Sequence, residues 1–311
     1  MSKVTVFGSF VVDLMGRTPH LPVPGETVKG SMFKMGPGGK GFNQGVAAHK
    51  AGADVTMVTK LGRDTFAGVA LSAMDELKMK KDRILYSDDT ETGAALIMVD
   101  ENSSQNEIVV ILGSCNTITD EEVESIADEL EQSEFLLTQL ETNVSATRKV
   151  ISLAKELGVK VILNTAPVQE VEDDIYNGLY MITPNEVEAE ILTGIVIDSK
   201  ENADKAADWF FDKGVQNVII TLGGRGVYVA TAEKREIVPA YTVKAIDTTG
   251  AGDAFNGGLV AALSEGKTIW ESVDFANALA ALSVERLGTT PAMPWREEIL
   301  SFMKQNDSNI M

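Results

Sequence analysis

Short apolar, β-branched runs alternate with helical stretches along most of this chain, and that alternation restricts the possible folds more than any other feature. Val4–Val12, Val55–Lys60, Phe135–Thr138, Val159–Leu163, Leu179–Thr183 and Val218–Leu222 read as strands. Between them, Lys40–Ala51, Phe66–Leu77, Asp120–Leu130, Val144–Leu157, Asn185–Leu192 and Lys200–Lys213 carry amphipathic helical patterns. The strand runs are continuously apolar, as strands buried on both faces are. The expectation is therefore an α/β fold of three layers, α/β/α, around a mostly parallel sheet. The C-terminal third differs: two strands, Gly226–Thr231 and Ile237–Val243, precede three helices, Ala251–Glu265, Ile269–Arg286 and Trp295–Gln305. Two regions break the alternation. Thr27–Met35, and Gly93–Val99 with Glu107–Leu112 around the polar turn Asp100–Asn106, have strand character with no helix between them. They predict a small antiparallel sheet, drawn from about 14–37 and 93–113, that could close over a site; the alternative is an irregular edge of the main sheet. One domain of 311 residues accommodates all of this, with a tail, Gln305–Met311, expected to fray.

Charge narrows the partners. Lys and Arg number 27 against 46 Asp and Glu, a formal net charge of −19. Such a field repels nucleic-acid backbones and anionic membrane surfaces, so neither is an expected partner, and a phosphate site would have to be built locally from amides, a few cations and metal. Cys115 is the only cysteine, and His20 and His49 are the only histidines. That excludes an internal disulfide and a Cys-rich zinc site and leaves little room for a Ser/His/Asp triad. His49, in an Ala-rich helical stretch, reads as a packing or surface residue. No apolar run reaches the roughly 18 residues of a membrane span. Val4–Val12 could pass for a signal segment, but Asp13 interrupts it and no small-residue cleavage site follows, so a buried strand and a cytoplasmic protein are expected.

The strongest local signal is Asp247-Thr-Thr-Gly-Ala-Gly-Asp253-Ala-Phe-Asn-Gly-Gly258. A strand ending near Ala245 is followed by a glycine turn and a small-residue helix from about Ala251. Unpaired amides and the positive end of a helix dipole make such a turn an anion site suited to a transferring phosphoryl group. Asp253, in the first turn, could accept a hydroxyl proton or could simply cap the helix; the local residues leave both open. A second segment, Gly36-Pro-Gly-Gly-Lys-Gly-Phe-Asn43-Gln-Gly, contains G-x-G-x-x-G but lies about two dozen residues beyond the first strand, which disfavours a dinucleotide site. Gly41 after Lys40 rules out a P-loop. It reads as a flexible turn opening a helix, with Lys40 and Asn43 suited to a polyhydroxy ligand and Asp13 at the end of the first strand as their partner. Asn185 and Glu188, in Thr183-Pro-Asn-Glu-Val-Glu188, have capping-box spacing, and Thr221-Leu-Gly-Gly-Arg-Gly226 is a glycine connection between strands whose backbone could approach phosphates.

Together and in this order, the four segments resemble the ribokinase family of carbohydrate kinases. Gly38-Gly-Lys-Gly-Phe-Asn43 is similar to its first signature, Asp247–Asp253 to its second, and Asn185–Glu188 to its N-x-x-E element. The likeness runs through Gly8-Ser9, Pro24–Thr27, Gln139–Glu141, Asn164–Pro167 and Pro294–Glu298, and so covers nearly the whole chain. The resemblance implies a sugar kinase that phosphorylates the 5-hydroxyl of a pentose. Asp253 would be the base, with the amides of Ala251, Gly252 and Asp253 as the anion hole. Val11, Asp13, Gly39, Lys40, Gly41, Asn43 and Glu141 would line the sugar site. ATP would lie against Asn185, Thr221, Gly223, Gly224, Gly226, Gly252 and Asn277. Glu188 would order Mg²⁺ through water, and Asp247, Thr249, Ser283, Arg286, Gly288 and Ala292 would surround a K⁺ ion. The small sheet would be the family's lid, whose pairing makes homodimers. Val11 stands where ribokinases typically have Asn, and similar deoxyribokinases carry an apolar residue there, so 2-deoxyribose competes with ribose as the expected substrate. Phe42 adds bulk beside the signature. The alternatives are a fructokinase- or nucleoside-specific relative, a non-catalytic sugar sensor and, least supported, a Rossmann oxidoreductase.

Overall fold

A computed structural model describes residues 2–103 and 105–307. The elements run β1 (Lys3–Phe7), β2 (Val11–Thr18), β3 (Met32–Gly38), α1 (Lys40–Lys50), β4 (Asp54–Gly62), α2 (Thr65–Leu77), β5 (Ile84–Ser87), β6 (Thr92–Asp100), β7 (Asn106–Gly113), α3 (Asp120–Glu124), α4 (Ala127–Glu131), β8 (Ser133–Gln139), α5 (Val144–Glu156) and β9 (Lys160–Asn164). They continue with β10 (Met181–Ile182), α6 (Glu186–Thr193), α7 (Lys200–Asp212), β11 (Val218–Thr221), β12 (Val227–Ala230), β13 (Arg235–Val238), α8 (Ala251–Ser264), α9 (Ile269–Val284) and α10 (Arg296–Asp307). A nine-stranded sheet has the order β13-β12-β11-β10-β9-β8-β1-β4-β5. Its strands are parallel except at the β11–β12–β13 edge.

Alternation along each central strand feeds two separate cores. Val6, Leu137, Ile162 and Ile219 pack under α1, α8 and α9, whereas Phe7, Leu136, Leu163 and Ile220 pack under α5 and α7. The sheet thus has helices on both faces, and the expected three-layer α/β fold is the one observed.

A second sheet, of order β3-β2-β6-β7, holds the segments that broke the alternation. It is mixed rather than antiparallel: β2 pairs parallel with β6, while β3 and β7 run antiparallel on the two edges. The apolar run Val4–Val12 is correspondingly split. Phe7 ends the main-sheet strand, Gly8 still reaches Val58 O with its N–H at 3.1 Å, and Ser9 then turns to α1, its carbonyl accepting from Phe42 N–H at 2.9 Å. Asp13 therefore stands within β2 of the small sheet, not at the end of the first main-sheet strand. Gly36–Gly38, read as flexible turn, belongs to β3, where Pro37 is tolerated because β3 is an edge strand. The strand read over Thr27–Met35 begins only at Met32.

Other departures have local causes. Asp120–Leu130 divides into α3 and α4. β13 stops at Val238 because Pro239 follows and has no N–H to give. The segment before Asp247 pairs with no strand; the amides of Ile246 and Asp247 donate instead to Val284 O at the end of α9, at 2.7 and 3.1 Å. Helix α10 runs through Asp307, so the part of the expected frayed tail up to that residue is helical, and 308–311 lie outside the described residues. Phe42 is fully buried edge-on to Phe10 with centroids 5.1 Å apart, so it is a core residue and not part of a substrate pocket. His49 packs as expected, against Leu77 O and the ring of Trp295.

Helices α1 and α8 lie in direct contact above the sheet. A Cβ on Gly257 would sit 2.6 Å from Gln44 O and 2.8 Å from Ala48 N, so only glycine lets the two backbones approach this closely. That approach puts the N-terminal turn of α1 beside the first turn of α8, where the site lies.

Candidate active site

Asp253 is the third residue of α8, yet it does not cap the helix; Gly250 occupies the cap position. The residue is 7% exposed, and its carboxylate turns toward α1. Asn43 Nδ2 donates to Oδ2 at 3.0 Å and Gln44 Nε2 donates to Oδ1 at 2.9 Å. Burial pushes the carboxyl above its usual range, while Lys40 and these two amide donors pull the other way. Of the three amides in the turn, Ala251 N–H donates to Thr248 O at 3.2 Å. No acceptor within the described chain takes the N–H of Gly252 or Asp253, so these two are the donors available to a ligand.

Asp13, Lys40 and Glu141 stand around Asp253. Glu141 Oε2 accepts from Ser9 Oγ at 2.5 Å and from Lys40 N–H at 2.7 Å. Burial raises the Glu141 carboxyl, against the pull of Lys40. Asp13 is raised to about 6, first by burial and then by Glu141 and Asp253. The Lys40 ammonium is opposed by its own burial, but Asp253, Glu141 and Glu188 together hold it above its usual range. Three carboxylates share one buried cation in a protein already strongly acidic, a costly arrangement of the kind functional sites maintain. Gly39, with φ +89°, opens α1 tightly under Ser9–Val11 and brings Lys40 beneath β2. Val11 is buried at the start of β2, level with Gly38 and Gly93.

Beyond α8 lies a cavity of about 680 Å³, in the size range of small-molecule sites. Asn185, Thr221, Gly223, Gly224, Gly226, Gly252 and Asn277, all named from sequence, line it. Tyr241, Val243, Ala280, Ala281 and Val284 add an apolar wall that sequence reasoning missed, because each residue alone looks like ordinary core. A second cavity, of about 630 Å³ between β3 and α2, touches none of the residues expected in a site. Asn185 and Glu188 form the capping box their spacing suggested. Glu188 also accepts from Thr165 Oγ1 at 2.9 Å, so its carboxylate is held from two sides behind Asn185, which lines the cavity. Asp247 Oδ1 accepts from Thr249 N–H at 3.0 Å and Oδ2 from Gly288 N–H at 2.9 Å. Burial works against the charge on Asp247, but those amides bring its carboxyl below the usual range. Asp247, Thr249 and Gly288 thus meet; Ser283 lies in the last turn of α9, Arg286 is drawn to Glu298, and the buried Ala292 donates its N–H to Thr289 O.

Sequence reasoning also missed Gln44, Gln139, Asn164 and Thr290, which form the polar layer under Asp253. Gln44, Gln139 and Asn164 lay inside quoted motifs, but nothing in a one-dimensional pattern says which amide faces a carboxylate.

Residues 1–296 match the pfkB family of carbohydrate kinases. The chain is 40% identical over 301 residues to a ribokinase of Haemophilus influenzae, covering 97% of this chain and 98% of that protein. It is 34% identical over 305 residues to a deoxyribokinase of Salmonella typhi, covering 98% and 99%. Among solved structures, the ribokinase of Arabidopsis thaliana complexed with ribose and ATP superposes with a TM-score of 0.90 at 28% identity, covering 98% of this chain and 99% of that one. The fold, the placement of both glycine signatures and this similarity agree: the chain belongs to the pfkB family of carbohydrate kinases and is a sugar kinase of the ribokinase and deoxyribokinase type.

Proposed function

We propose that this protein transfers the γ-phosphoryl group of ATP to the 5-hydroxyl of a pentose, with Asp253 as general base. One observation carries the assignment. The buried Asp253 carboxylate lies where the cavity walled by Gly252 meets the cluster of Asp13, Lys40 and Glu141. A sugar held by Asp13, Lys40, Asn43 and Glu141, with the backbone of Gly39 and Gly41, would present a hydroxyl to Asp253. The hydroxyl oxygen bonds to the γ-phosphorus as the bond to the bridging oxygen breaks, that electron pair leaves with ADP, and the hydroxyl proton passes to Asp253. The free amides of Gly252 and Asp253, at the positive end of α8, face the charge that develops on the phosphoryl oxygens.

The donor set fits the expected ions. Among the described residues no three His, Cys, Asp or Glu side chains converge as a metal cage. This suits Mg²⁺, which keeps most of its waters and binds through nucleotide phosphates, with Glu188 ordering that water shell. The ion neutralises phosphate charge when bound. Asp247, Thr249, Ser283, Arg286, Gly288 and Ala292 come from two segments tied by the bond from Gly288 N–H to Asp247, and the Asp247 carboxylate with main-chain carbonyls of these segments would supply the oxygen ligands that suit K⁺. We take residues 1–311 as one cytoplasmic kinase domain, with the small sheet acting as lid and as the contact between two subunits.

Val11 has no hydrogen-bonding atom to offer a 2-hydroxyl, and leaving that hydroxyl unpaired would cost about 1–3 kcal/mol. We infer that 2-deoxyribose is phosphorylated at least as well as ribose. One coupled assay for ADP tests both points. It is run with ribose, 2-deoxyribose, fructose and nucleosides, with and without K⁺, on wild type and Asp253→Asn. Turnover of a pentose by wild type and none by the variant, with ATP binding retained, is expected. Activity in Asp253→Asn would remove the base assignment. A strong ribose preference in kcat/KM would remove the deoxyribose reading alone.

A further inference from the structure

Asp253 is held by a chain of buried amides whose orientation permits no alternative. Gln44, on α1, is fully buried. Its Nε2 donates to Asp253 Oδ1 at 2.9 Å and to Asn164 Oδ1 at 3.0 Å, and its Oε1 accepts from Gln139 Nε2 at 2.7 Å. Asn164 cannot turn around, because its Nδ2 donates to the main-chain carbonyl of Thr183 at 2.8 Å. That bond obliges its oxygen to face Gln44. A flipped Gln44 would set Oε1 against two acceptors and Nε2 against a donor, so the network admits one orientation only. The other carboxylate oxygen is bound to Asn43 Nδ2, whose own Oδ1 accepts from Thr290 Oγ1 at 2.9 Å. One N–H on each oxygen fixes the plane of the carboxylate. The network also returns to the phosphoryl side of the site: Thr183 Oγ1 donates to Asn256 Oδ1 at 2.6 Å, and Asn256 Nδ2 donates to Gly252 O at 2.9 Å.

We propose that Gln44, oriented by Gln139 and Asn164, is a positioning residue for the reaction: it aims the Asp253 carboxylate and keeps it ionised in a buried site. This rests on the reading of Asp253 as base. The side chain touches neither sugar nor nucleotide in that reading, so its loss should act on turnover and leave substrate capture nearly intact. Because Gln44 donates to the charged form, its loss should raise the pH at which the base ionises. The other charged groups around Asp253 are Lys40 on α1, Glu141 after β8 and Asp13 on β2, and none of them bonds to Gln44.

The test is the steady-state kinetics of Gln44→Met, which keeps the side-chain length without donors, over a range of pH. A kcat lowered on the order of 10–100-fold is expected, with both KM values within about threefold and the acid limb of kcat/KM moved to higher pH. Gln139→Leu, which frees the Gln44 amide without touching Asp253, should shift the same quantities less, and it stands in if Gln44→Met fails to fold by circular dichroism. Folded variants with wild-type kcat and an unmoved acid limb overturn the proposal. Equal losses in KM and kcat, with no pH shift, reduce Gln44 to packing and overturn it too. Asp253→Asn run alongside separates the failures: if it remains active, the base assignment falls first, and if it is inactive beside an unaffected Gln44→Met, only the positioning role falls.

Discussion

Asp13, in the proposed sugar site, shows what such a site would demand of a single residue. It is partly buried, it faces Glu141 and Asp253, and its carboxyl is raised to about 6. A carboxyl ordinarily near 3.8 and raised in the fold binds its proton more tightly there than in the unfolded chain. The stability it contributes is therefore fully present below about pH 4 and is lost as pH rises through about 6. At pH 8 the charged Asp13 is a liability of up to about 3 kcal/mol. Asp13→Asn is expected to be more stable than wild type at pH 8 and nearly equal to it at pH 4, while losing sugar affinity. Urea midpoints of the two proteins at those pH values check this, and a difference independent of pH would count against it. Such a trade of stability for function belongs to a residue retained for what it binds.

The contact between α1 and α8 does the work at the scale of elements. One helix supplies Lys40, Asn43 and Gln44, the other supplies Gly252 and Asp253, and Gly257 sets their separation. Gly257→Ala puts a methyl group into the backbone of α1, and overpacking of this kind costs about 1–3 kcal/mol. The same displacement moves Gln44 and Asn43 away from Asp253. Chemical denaturation should show the loss of stability, and kcat should fall by a larger factor than either KM rises. A variant that is destabilised but fully active would mean that the separation of the helices matters to the fold alone. Sequence pattern located both helices to within a residue at their N-termini, because Lys40 and Ala251 each follow glycine. The pairing of the helices was hidden, since Gly257 looks like any other small residue in a small-residue helix.

At the scale of the molecule, the small sheet leaves apolar surface uncovered. Ile108, Val109, Val110 and Ile111 follow one another on the edge strand β7, each exposed by more than two-fifths, and Phe33 on the opposite edge is 70% exposed. Four consecutive apolar residues exposed on an edge strand offer both side chains and unpaired backbone to a second chain. Pairing with another copy would bury both, which favours the proposed dimer. Val109→Lys is expected to convert a dimer to a monomer in sedimentation at micromolar concentration, and an unchanged mass would place the interface elsewhere.

Alternation of apolar runs and helical patterns was enough to determine the layered α/β fold, because burial on both faces of a parallel sheet leaves no other pattern. The glycine signatures were enough to locate the turns at Lys40 and Asp253, because backbone conformation and close approach are properties of the residue itself. Tertiary structure alone decided the rest. The run Val4–Val12 reads as one strand until Ser9 gives its carbonyl to α1, and this carries Asp13 into a different sheet. Asp253 is suited by sequence to cap a helix, until packing leaves the cap to Gly250 and sets the amides of Asn43 and Gln44 against its carboxylate. Phe42 looks like bulk beside the signature until Phe10 meets it in the core. In each case local sequence specifies what a side chain can do, whereas its partners come from segments far apart in the chain, and only the packed fold brings them within bonding distance.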